Sequence, residues 1–256
     1  MHKKIVFFDI DGTLVDEHKN IPLSAKQAIE ELKRNDVYVA IATGRAPFMF
    51  EEIRKELDIN SYVSFNGQHV VFEGEVIYEN PIDQEPLETL YEASALNNFP
   101  MIFICDKDMR ATTDNHPHIK ESLANLKLNY PQVDSNYYHG RPIYQALLFC
   151  EQDQNAFIAK HNALDFIRWH RFSYDVLPGG GSKAVGIDKI ISASGLNKAD
   201  AFAFGDGLND MEMIQEVGVG IAMGNAVPSL KKVADYTTST VDEQGILKGL
   251  EYYNLI

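Results

Sequence analysis

The stretch Ile5-Val6-Phe7-Phe8-Asp9-Ile10-Asp11-Gly12-Thr13-Leu14 decides how the rest of the chain is interpreted. Its first four residues are apolar and β-branched or aromatic, which predicts a short buried strand of a parallel sheet. Two carboxylates and a Gly-Thr pair follow where that strand ends. Ligands of open α/β sheets bind at the carboxyl ends of the strands, so Asp9 and Asp11 are candidate site residues. Taken alone, the stretch also fits a turn with solvated aspartates, because Asp and Gly are common turn residues.

Similar apolar segments that end in polar residues recur along the chain. Residues 37–42 run into Thr43-Gly44-Arg45, and residues 201–204 run into Gly205-Asp206-Gly207-Leu208-Asn209-Asp210. Amphipathic segments lie between the apolar ones, and the first of these helices is predicted to begin with Ser24 as its N-cap. A strand, helix, strand, helix order predicts an α/β fold with a Rossmann-like, doubly wound parallel sheet.

The pattern changes near residue 82 and changes back at the glycines of residues 179–181. Between these points short strands with hairpin-like connections alternate with helices, one of which is expected around residues 155–164. This order is typical of an antiparallel sheet with helices on one face. We therefore predict a core domain formed by residues 1–81 and 181–256, with an α+β domain of residues 82–180 inserted into it.

Composition limits the class of partner. The formal net charge of −14 argues against nucleic acid and anionic membrane surfaces, because both require basic patches. Cys105 and Cys150 have no spacing typical of zinc or of a disulfide framework, which suits the cytoplasm. No apolar run reaches the roughly 18 residues of a membrane span, and the apolar run before Asp9 is too short for a signal peptide. We expect a monomer or homodimer with a small-molecule partner.

The strand ends of a doubly wound sheet converge on one edge, so the polar residues that follow them are expected to meet. Asp9, Asp11, Asp206 and Asp210 would place four carboxylates together, which is unfavourable without a counter-cation. Donors that are all oxygen select Mg²⁺, a hard cation that often binds substrate phosphate as well. No single motif would be strong evidence for this Mg²⁺ site. The segment 206–210, for example, also fits a loop with a helix N-cap.

The remaining groups fit phosphoryl transfer, in which positioning and charge stabilisation dominate. Asp9 is the candidate nucleophile, which would form an aspartyl-phosphate intermediate. Asp11, two residues further on, is the candidate general acid and base. Thr43 could donate a hydrogen bond to the transferring group, and Lys183 could offset the charge on its oxygens. A lysine in the first turn of a helix opposes the helix dipole, which indicates a separate reason for its presence.

These motifs resemble those of the haloacid-dehalogenase-like (HAD) superfamily of phosphohydrolases, and within it the Cof-type branch with a large α/β cap of type IIB. Residues 9–13 match the first family motif, Thr43 the second, Lys183 the third and residues 205–210 the fourth. The resemblance covers essentially the whole core. It implies a HAD fold with a cap domain that selects the substrate.

The resemblance also implies which residues bind the metal and which bind the substrate. Mg²⁺ would be held by Asp9, the backbone carbonyl of Asp11 and Asp206, with Asp210 and Asn209 supporting through water. The substrate- and phosphate-binding set that it implies is Gly12, Gly44, Arg45, Asn66 and Asn209.

Some of these positions have other interpretations. Arg45 could bind a phosphate oxygen or contact the cap domain, but it could equally form an ion pair with a surface carboxylate. Asn66-Gly67 also fits a plain turn. Asn225 is expected to have a structural role, capping the next helix and holding the fourth-motif loop.

The spacing of the motifs selects the subclass. Asp9 and Thr43 lie about 34 residues apart, and Thr43 and Lys183 about 140 residues apart, so a cap-sized insertion fits only the second interval. The expected function is a Mg²⁺-dependent phosphatase of small phosphorylated metabolites, such as sugar phosphates or phosphorylated cofactors. One alternative also transfers a phosphoryl group: a phosphosugar mutase or phosphotransferase. The other alternative is a phosphate-ligand sensor or binding module without turnover.

Overall fold

A computed structural model of the chain describes residues 3–151 and 154–256. These residues form two compact units. The first contains the chain up to Arg45, Met49–Glu79 and Ser182–Ile256, and the second contains Ala46–Phe48 and Asn80–Gly181. The second unit is therefore almost entirely one insertion into the first.

The described strands are β1 (Ile5–Phe8), β2 (Tyr38–Ala42), β3 (Tyr62–Ser64), β4 (His69–Phe72), β5 (Glu75–Glu79), β6 (Met101–Ile104), β7 (Met109–Ala111), β8 (Gln145–Phe149), β9 (Leu164–His170), β10 (Ser173–Pro178), β11 (Ala201–Gly205), β12 (Val219–Ala222) and β13 (Tyr236–Thr237). The described α-helices are α1 (Leu23–Arg34), α2 (Glu51–Leu57), α3 (Gln84–Leu96), α4 (Pro117–Asn125), α5 (Asn155–Ile158), α6 (Lys183–Ser194), α7 (Met211–Glu216), α8 (Pro228–Val233) and α9 (Gly245–Tyr252).

The first unit is built on an eight-stranded sheet with the order β13-β12-β11-β1-β2-β3-β4-β5. The six strands from β13 to β3 pair in parallel, and β4 and β5 complete the sheet as an antiparallel edge. Strand β1 lies in the interior, and all four of its side chains are fully buried. The predicted α/β fold with a parallel core is confirmed, and the stretch that follows β1 therefore emerges between the ends of β2 and β11.

The second unit contains a five-stranded antiparallel sheet with the order β7-β6-β8-β10-β9. An apolar cluster joins one face of this sheet to α3 and α5, with Leu90, Phe103 and Leu148 among its buried members. Short strands with antiparallel pairing are what the hairpin-like connections in this part of the sequence predict.

Two local predictions need correction, and two short strands were missed. The N-cap of α1 is Pro22 and makes no side-chain hydrogen bond, so the prediction of Ser24 as the cap is wrong. The helix expected over residues 155–164 is only the single turn of α5, which ends at Ile158, and β9 begins at Leu164. Strands β7 and β13 were not predicted, and at three and two residues they are too short to show a clear alternation.

No helix within the described residues is both long enough and apolar enough to cross a membrane.

Candidate active site

The candidate site lies at the carboxyl ends of three adjacent strands of the first unit. Asp9 follows β1, Thr43 follows β2 and Asp206 follows β11. Strand β1 pairs in parallel with both β2 and β11, so these three residues leave the sheet at the same edge. The first residue of α6, Lys183, joins them from a distant part of the sequence. The expected convergence of the motifs is therefore present in the structure.

Lys183 links the first and fourth motifs through two ion pairs. Its Nζ lies 2.5 Å from Asp9 Oδ1 and 2.7 Å from Asp210 Oδ1, and the side chains of Lys183 and Asp210 are both 0% exposed. Burial alone would lower the pKa of Lys183, but the charges of Asp210 and Asp9 outweigh it and raise that pKa. The lysine therefore stays charged, which explains why a cation occupies the first turn of this helix despite the helix dipole.

Three carboxylates form a cluster that could hold a metal ion. Ligand atoms of Asp9, Asp206 and Asp210 all lie within 4.8 Å of one another. Burial raises the pKa of Asp9 to about 8 against the opposing charge of Lys183. Burial, followed by the charge of Asp210, raises the pKa of Asp206 to about 6.

One lysine does not balance three carboxylates, and a divalent cation would favour their ionised forms. All the side-chain donors of the cluster are oxygen atoms, which suits Mg²⁺ better than a softer metal. The residues present therefore fit the magnesium ion that the sequence led us to expect.

Asp210 is the residue that holds the fourth-motif loop together. Its Oδ2 accepts hydrogen bonds from the backbone N–H groups of Asp206 at 3.0 Å and Gly207 at 2.9 Å. Its Oδ1 is the atom paired with Lys183. Both oxygens are thus engaged, so Asp210 positions Asp206 and Lys183 around the cluster. This arrangement agrees with a supporting role for Asp210 at the metal.

The side chain of Asp11 points to a different set of partners. Arg45 binds it with two hydrogen bonds, from Nε to Oδ2 at 2.9 Å and from Nη2 to Oδ1 at 2.6 Å, and Lys19 Nζ lies 2.5 Å from Oδ1. Burial alone would raise the pKa of Asp11, but Arg45 and then Lys19 outweigh it and lower that pKa. The carboxyl of Asp11 is therefore outside the cluster of three, and Arg45 pairs with a candidate site residue.

Lys19 is a neighbour that the sequence did not indicate. It lies in a tight turn in which the backbone N–H of Lys19 donates to the carbonyl of Asp16, and the Asp16 side chain accepts from His18 and Asn20. The turn gives Lys19 a φ of +68°, a left-handed conformation that is uncommon outside glycine. The contact with Asp11 depends on this turn, which no motif marks.

Thr43 and Asn66 form the wall of the site on the side of β2 and β3. Thr43 is 2% exposed, and its Oγ1 accepts a hydrogen bond from the backbone N–H of Arg45 at 3.2 Å. Asn66 donates its backbone N–H to the Thr43 carbonyl, and its Oδ1 accepts from Asn209 Nδ2 at 3.4 Å. A Cβ on Gly44 would lie 3.0 Å from the Asn66 amide. The structure therefore brings together five of the predicted residues: Thr43, Gly44, Arg45, Asn66 and Asn209.

Gly12 and Asn225 control the position of Asp206. Gly12 has a φ of +77°, and a Cβ at this position would lie 2.3 Å from Asp206 Oδ2. Asn225 Nδ2 donates to the Gly12 carbonyl at 2.8 Å and to Asp206 Oδ2 at 3.3 Å. Asn225 therefore ties the first-motif loop to the fourth, as its expected structural role requires. It does not cap α8, because the N-cap of that helix is Val227.

Replacing Gly12 by alanine is expected to lower the rate of any reaction at this site by about tenfold or more, because the new Cβ must displace the Asp206 carboxylate. The left-handed backbone adds roughly 1–2 kcal/mol of strain, so stability should fall as well. Gly74→Ala is the matched control, since Gly74 has a φ of +85° and nothing within 4 Å of its Cβ position. Steady-state kinetics and thermal unfolding of both variants separate the two effects. Equal activity of both variants would contradict a role for Gly12 in placing Asp206.

Comparison with known proteins gives matches over nearly the whole chain. A family model described as haloacid dehalogenase-like hydrolase matches residues 6–250. The Bacillus subtilis (strain 168) protein named "Putative phosphatase YkrA" is 46% identical over 256 residues, which are 100% of each chain. A second protein of that strain, the 5-amino-6-(5-phospho-D-ribitylamino)uracil phosphatase YitU, is 25% identical and is covered over 98% of each chain.

A solved structure extends this likeness to the three-dimensional fold. The HAD subclass IIB sugar phosphatase BT4131 aligns with a TM-score of 0.85 and 31% sequence identity, covering 99% of this chain and 100% of that one. The match includes the inserted unit as well as the sheet that carries the candidate site.

Proposed function

We propose that this chain, which belongs to the haloacid dehalogenase-like hydrolases and is a phosphatase of that family, hydrolyses small phosphorylated metabolites. The proposed reaction requires Mg²⁺ and passes through an aspartyl-phosphate on Asp9. The observation that carries the proposal is the buried cluster in which Lys183 pairs with Asp9 and Asp210, with Asp206 beside them. The proximity of these three carboxylates and one lysine at the sheet edge supports the proposal.

Asp9 is well placed to act as the nucleophile. A carboxylate oxygen of Asp9 attacks the phosphorus atom, and the bond from phosphorus to the ester oxygen breaks. Lys183 keeps the Asp9 side chain oriented and supplies positive charge beside it. When bound, Mg²⁺ would neutralise negative charge on the carboxylates and on the substrate phosphate.

Asp11 is the proposed proton carrier for both halves of the reaction. As an acid it gives a proton to the departing alcohol oxygen, and as a base it then removes a proton from the water that attacks the aspartyl-phosphate. That second attack releases inorganic phosphate and returns Asp9 to its carboxylate form. The lowered pKa of Asp11 means that its pairing with Arg45 and Lys19 has to loosen before it can carry a proton. An incoming phosphate dianion is a competing partner for these two cations.

The substrate is proposed to be a phosphorylated sugar, polyol or cofactor-like molecule. BT4131 is described as a sugar phosphatase and YitU as a phosphatase of a phosphoribityl compound, which supports this range of substrates. We assign the selection of the substrate to a cap formed by residues 82–180. The core residues Arg45 and Asn66 are proposed to contact the phosphate.

The proposal predicts turnover that depends on Mg²⁺. Purified protein is expected to release inorganic phosphate from p-nitrophenyl phosphate and from members of a phosphometabolite panel, and chelation with EDTA should lower the rate by about 10³-fold or more. Readdition of Mg²⁺ should restore the rate, whereas Ca²⁺ should restore it poorly because it relaxes the coordination geometry. Folded protein that turns over no phosphate ester, or that is unaffected by EDTA, would contradict the proposal. Release of an isomer in place of free phosphate would indicate a mutase.

A further inference from the structure

Three successive residues after β3 have an unusual backbone, and we refer to them as the 65–67 turn. Phe65, Asn66 and Gly67 have φ values of +52°, +51° and +102°, so all three lie in the left-handed region. For a large, fully buried side chain such as that of Phe65, this conformation is rare and strained. Such strain persists only where the surrounding structure imposes it, and it is common at active sites.

Hydrogen bonds fix one side of the 65–67 turn to the loop after β2. The backbone N–H of Phe65 donates to the carbonyl of Arg45 at 3.2 Å, and the backbone N–H of Asn66 donates to the carbonyl of Thr43 at 3.1 Å. The loop that carries Thr43 therefore sets the position of the turn.

The other side of the 65–67 turn lies against the start of α6. A Cβ on Gly67 would lie 2.0 Å from the carbonyl oxygen of Ser182, the residue before Lys183. That oxygen accepts a hydrogen bond from the backbone N–H of Gly186 at 3.3 Å, in the first turn of the helix. A side chain at position 67 therefore requires the backbone of the turn or of the helix to move.

Gly186 extends this contact further along α6. A Cβ on Gly186 would lie 2.4 Å from Val63 Cγ1 and 3.1 Å from Gly67 Cα. Gly186 lies inside the helix, where alanine is the better helix former. Its close approach to β3 and to the 65–67 turn, rather than its backbone conformation, therefore explains the glycine.

The position of this helix end determines where Lys183 lies. Lys183 is the first residue of α6, and its Nζ lies 2.5 Å from Asp9 Oδ1 and 2.7 Å from Asp210 Oδ1. Charge-assisted hydrogen bonds of this kind are typically about 2.7–2.9 Å long, so both contacts are already close. A shift of the helix end by about 1 Å would weaken both of them, and a misplacement of that size can cost about 10²-fold in rate.

We propose that Gly67 and Gly186 are positioning residues of the phosphatase reaction, which hold the start of α6 where Lys183 reaches Asp9 and Asp210 together. The proposal rests on the phosphatase function given above. Neither glycine is assigned a contact with the substrate, so a larger residue at either position should lower kcat more than it changes KM.

The test crowds this contact one side chain at a time. The kcat and KM for p-nitrophenyl phosphate are measured for Gly67→Ala, Gly186→Ala and Val63→Ile. Val63→Ile adds a single methyl group from the side of β3, so it remains informative if the glycine variants fold poorly. Gly195→Ala is the matched control, because Gly195 follows the same helix with a φ of +69° and has nothing within 4 Å of its Cβ position. Each crowding change is also made in the Lys183→Met variant.

Both glycine variants are expected to lower kcat by about tenfold or more and Val63→Ile by about threefold or more, with KM changed by less than about twofold. Gly195→Ala should keep kcat within about twofold of wild type, although its left-handed backbone should lower the unfolding temperature. In the Lys183→Met background the crowding changes should lower kcat by less than about twofold, because the group that they position is gone.

The Lys183→Met background separates positioning from a general loss of structure. The same fall in kcat with and without Lys183 would overturn the inference, because the glycines would then act independently of that lysine. A wild-type kcat in either folded glycine variant, or in Val63→Ile if neither folds, would also overturn it. The phosphatase function stands in all of these cases, since wild type still releases phosphate. Absence of all turnover by wild type would overturn the proposed function and the inference together.

Discussion

Replacing Asp9 by asparagine is expected to lower kcat by about 10⁴-fold or more, because an amide cannot form the aspartyl-phosphate that splits the reaction into two steps. The substitution has nearly the same shape and leaves Lys183 paired with Asp210, so the fold should persist. The measurement is the pre-steady-state and steady-state release of phosphate, with far-UV circular dichroism to confirm folding.

Asp36→Asn is a suitable control for the Asp9 variant. Asp36 is exposed, and its φ of +56° is a conformation that asparagine adopts readily. It precedes the amino end of β2, whereas the candidate site lies at the carboxyl ends of the strands. Its activity should stay within about twofold of wild type, as is usual for surface changes. Retention of more than about a tenth of the activity in Asp9→Asn would exclude Asp9 as the nucleophile.

Replacing Lys183 by methionine is expected to damage both activity and stability. The variant keeps the length of the side chain but leaves Asp9 and Asp210 without their shared cation. Removing one partner of a buried ion pair typically costs about 3–5 kcal/mol, and loss of a preorganised charge at the transferring group costs about 10²–10³ in kcat. Urea unfolding and phosphate release measure the two effects separately.

Magnesium provides a further check on the Lys183 variant. A cation bound by the cluster would replace part of the missing positive charge, so Mg²⁺ should raise the unfolding midpoint of Lys183→Met more than that of wild type. Lys189→Met, on an exposed position of the same helix α6, should resemble wild type in both assays. A Lys183 variant with wild-type stability would show that the buried pairs contribute little to the fold.

Much of the candidate site could be predicted because residues that follow different strands of a parallel sheet lie close together in the fold, even when they are far apart in the sequence. Asp9, Thr43 and Asp206 are far apart in the chain, yet each follows a strand, and adjacent parallel strands end at one edge. The antiparallel sheet of the insertion was predicted for a different reason. Its short strands follow one another through hairpin-like connections, which pair strands in antiparallel fashion.

Other features depend on contacts that no local pattern records. Lys19 reaches Asp11 only because a turn holds it in a left-handed conformation, and the pairing of Arg45 with Asp11 joins residues 34 positions apart. Trp169 is the extra residue of a one-residue bulge between β9 and β10, an irregularity that the apolar pattern of β9 does not mark. The apolar side chain of Leu164 fits the end of the predicted helix as well as the start of a strand, but Leu164 already belongs to β9 and pairs with Pro178.

Trapping the covalent intermediate tests the central claim most directly. Wild-type protein is mixed with Mg²⁺ and the best substrate of the panel, quenched during turnover and treated with borohydride, which reduces an acyl phosphate to an alcohol. Peptide mass spectrometry is then expected to find homoserine in place of aspartate at position 9, and no such product without substrate or in Asp9→Asn. Unmodified Asp9 in protein that is turning over, or a reduced product at Asp11 or Asp206, would contradict the account.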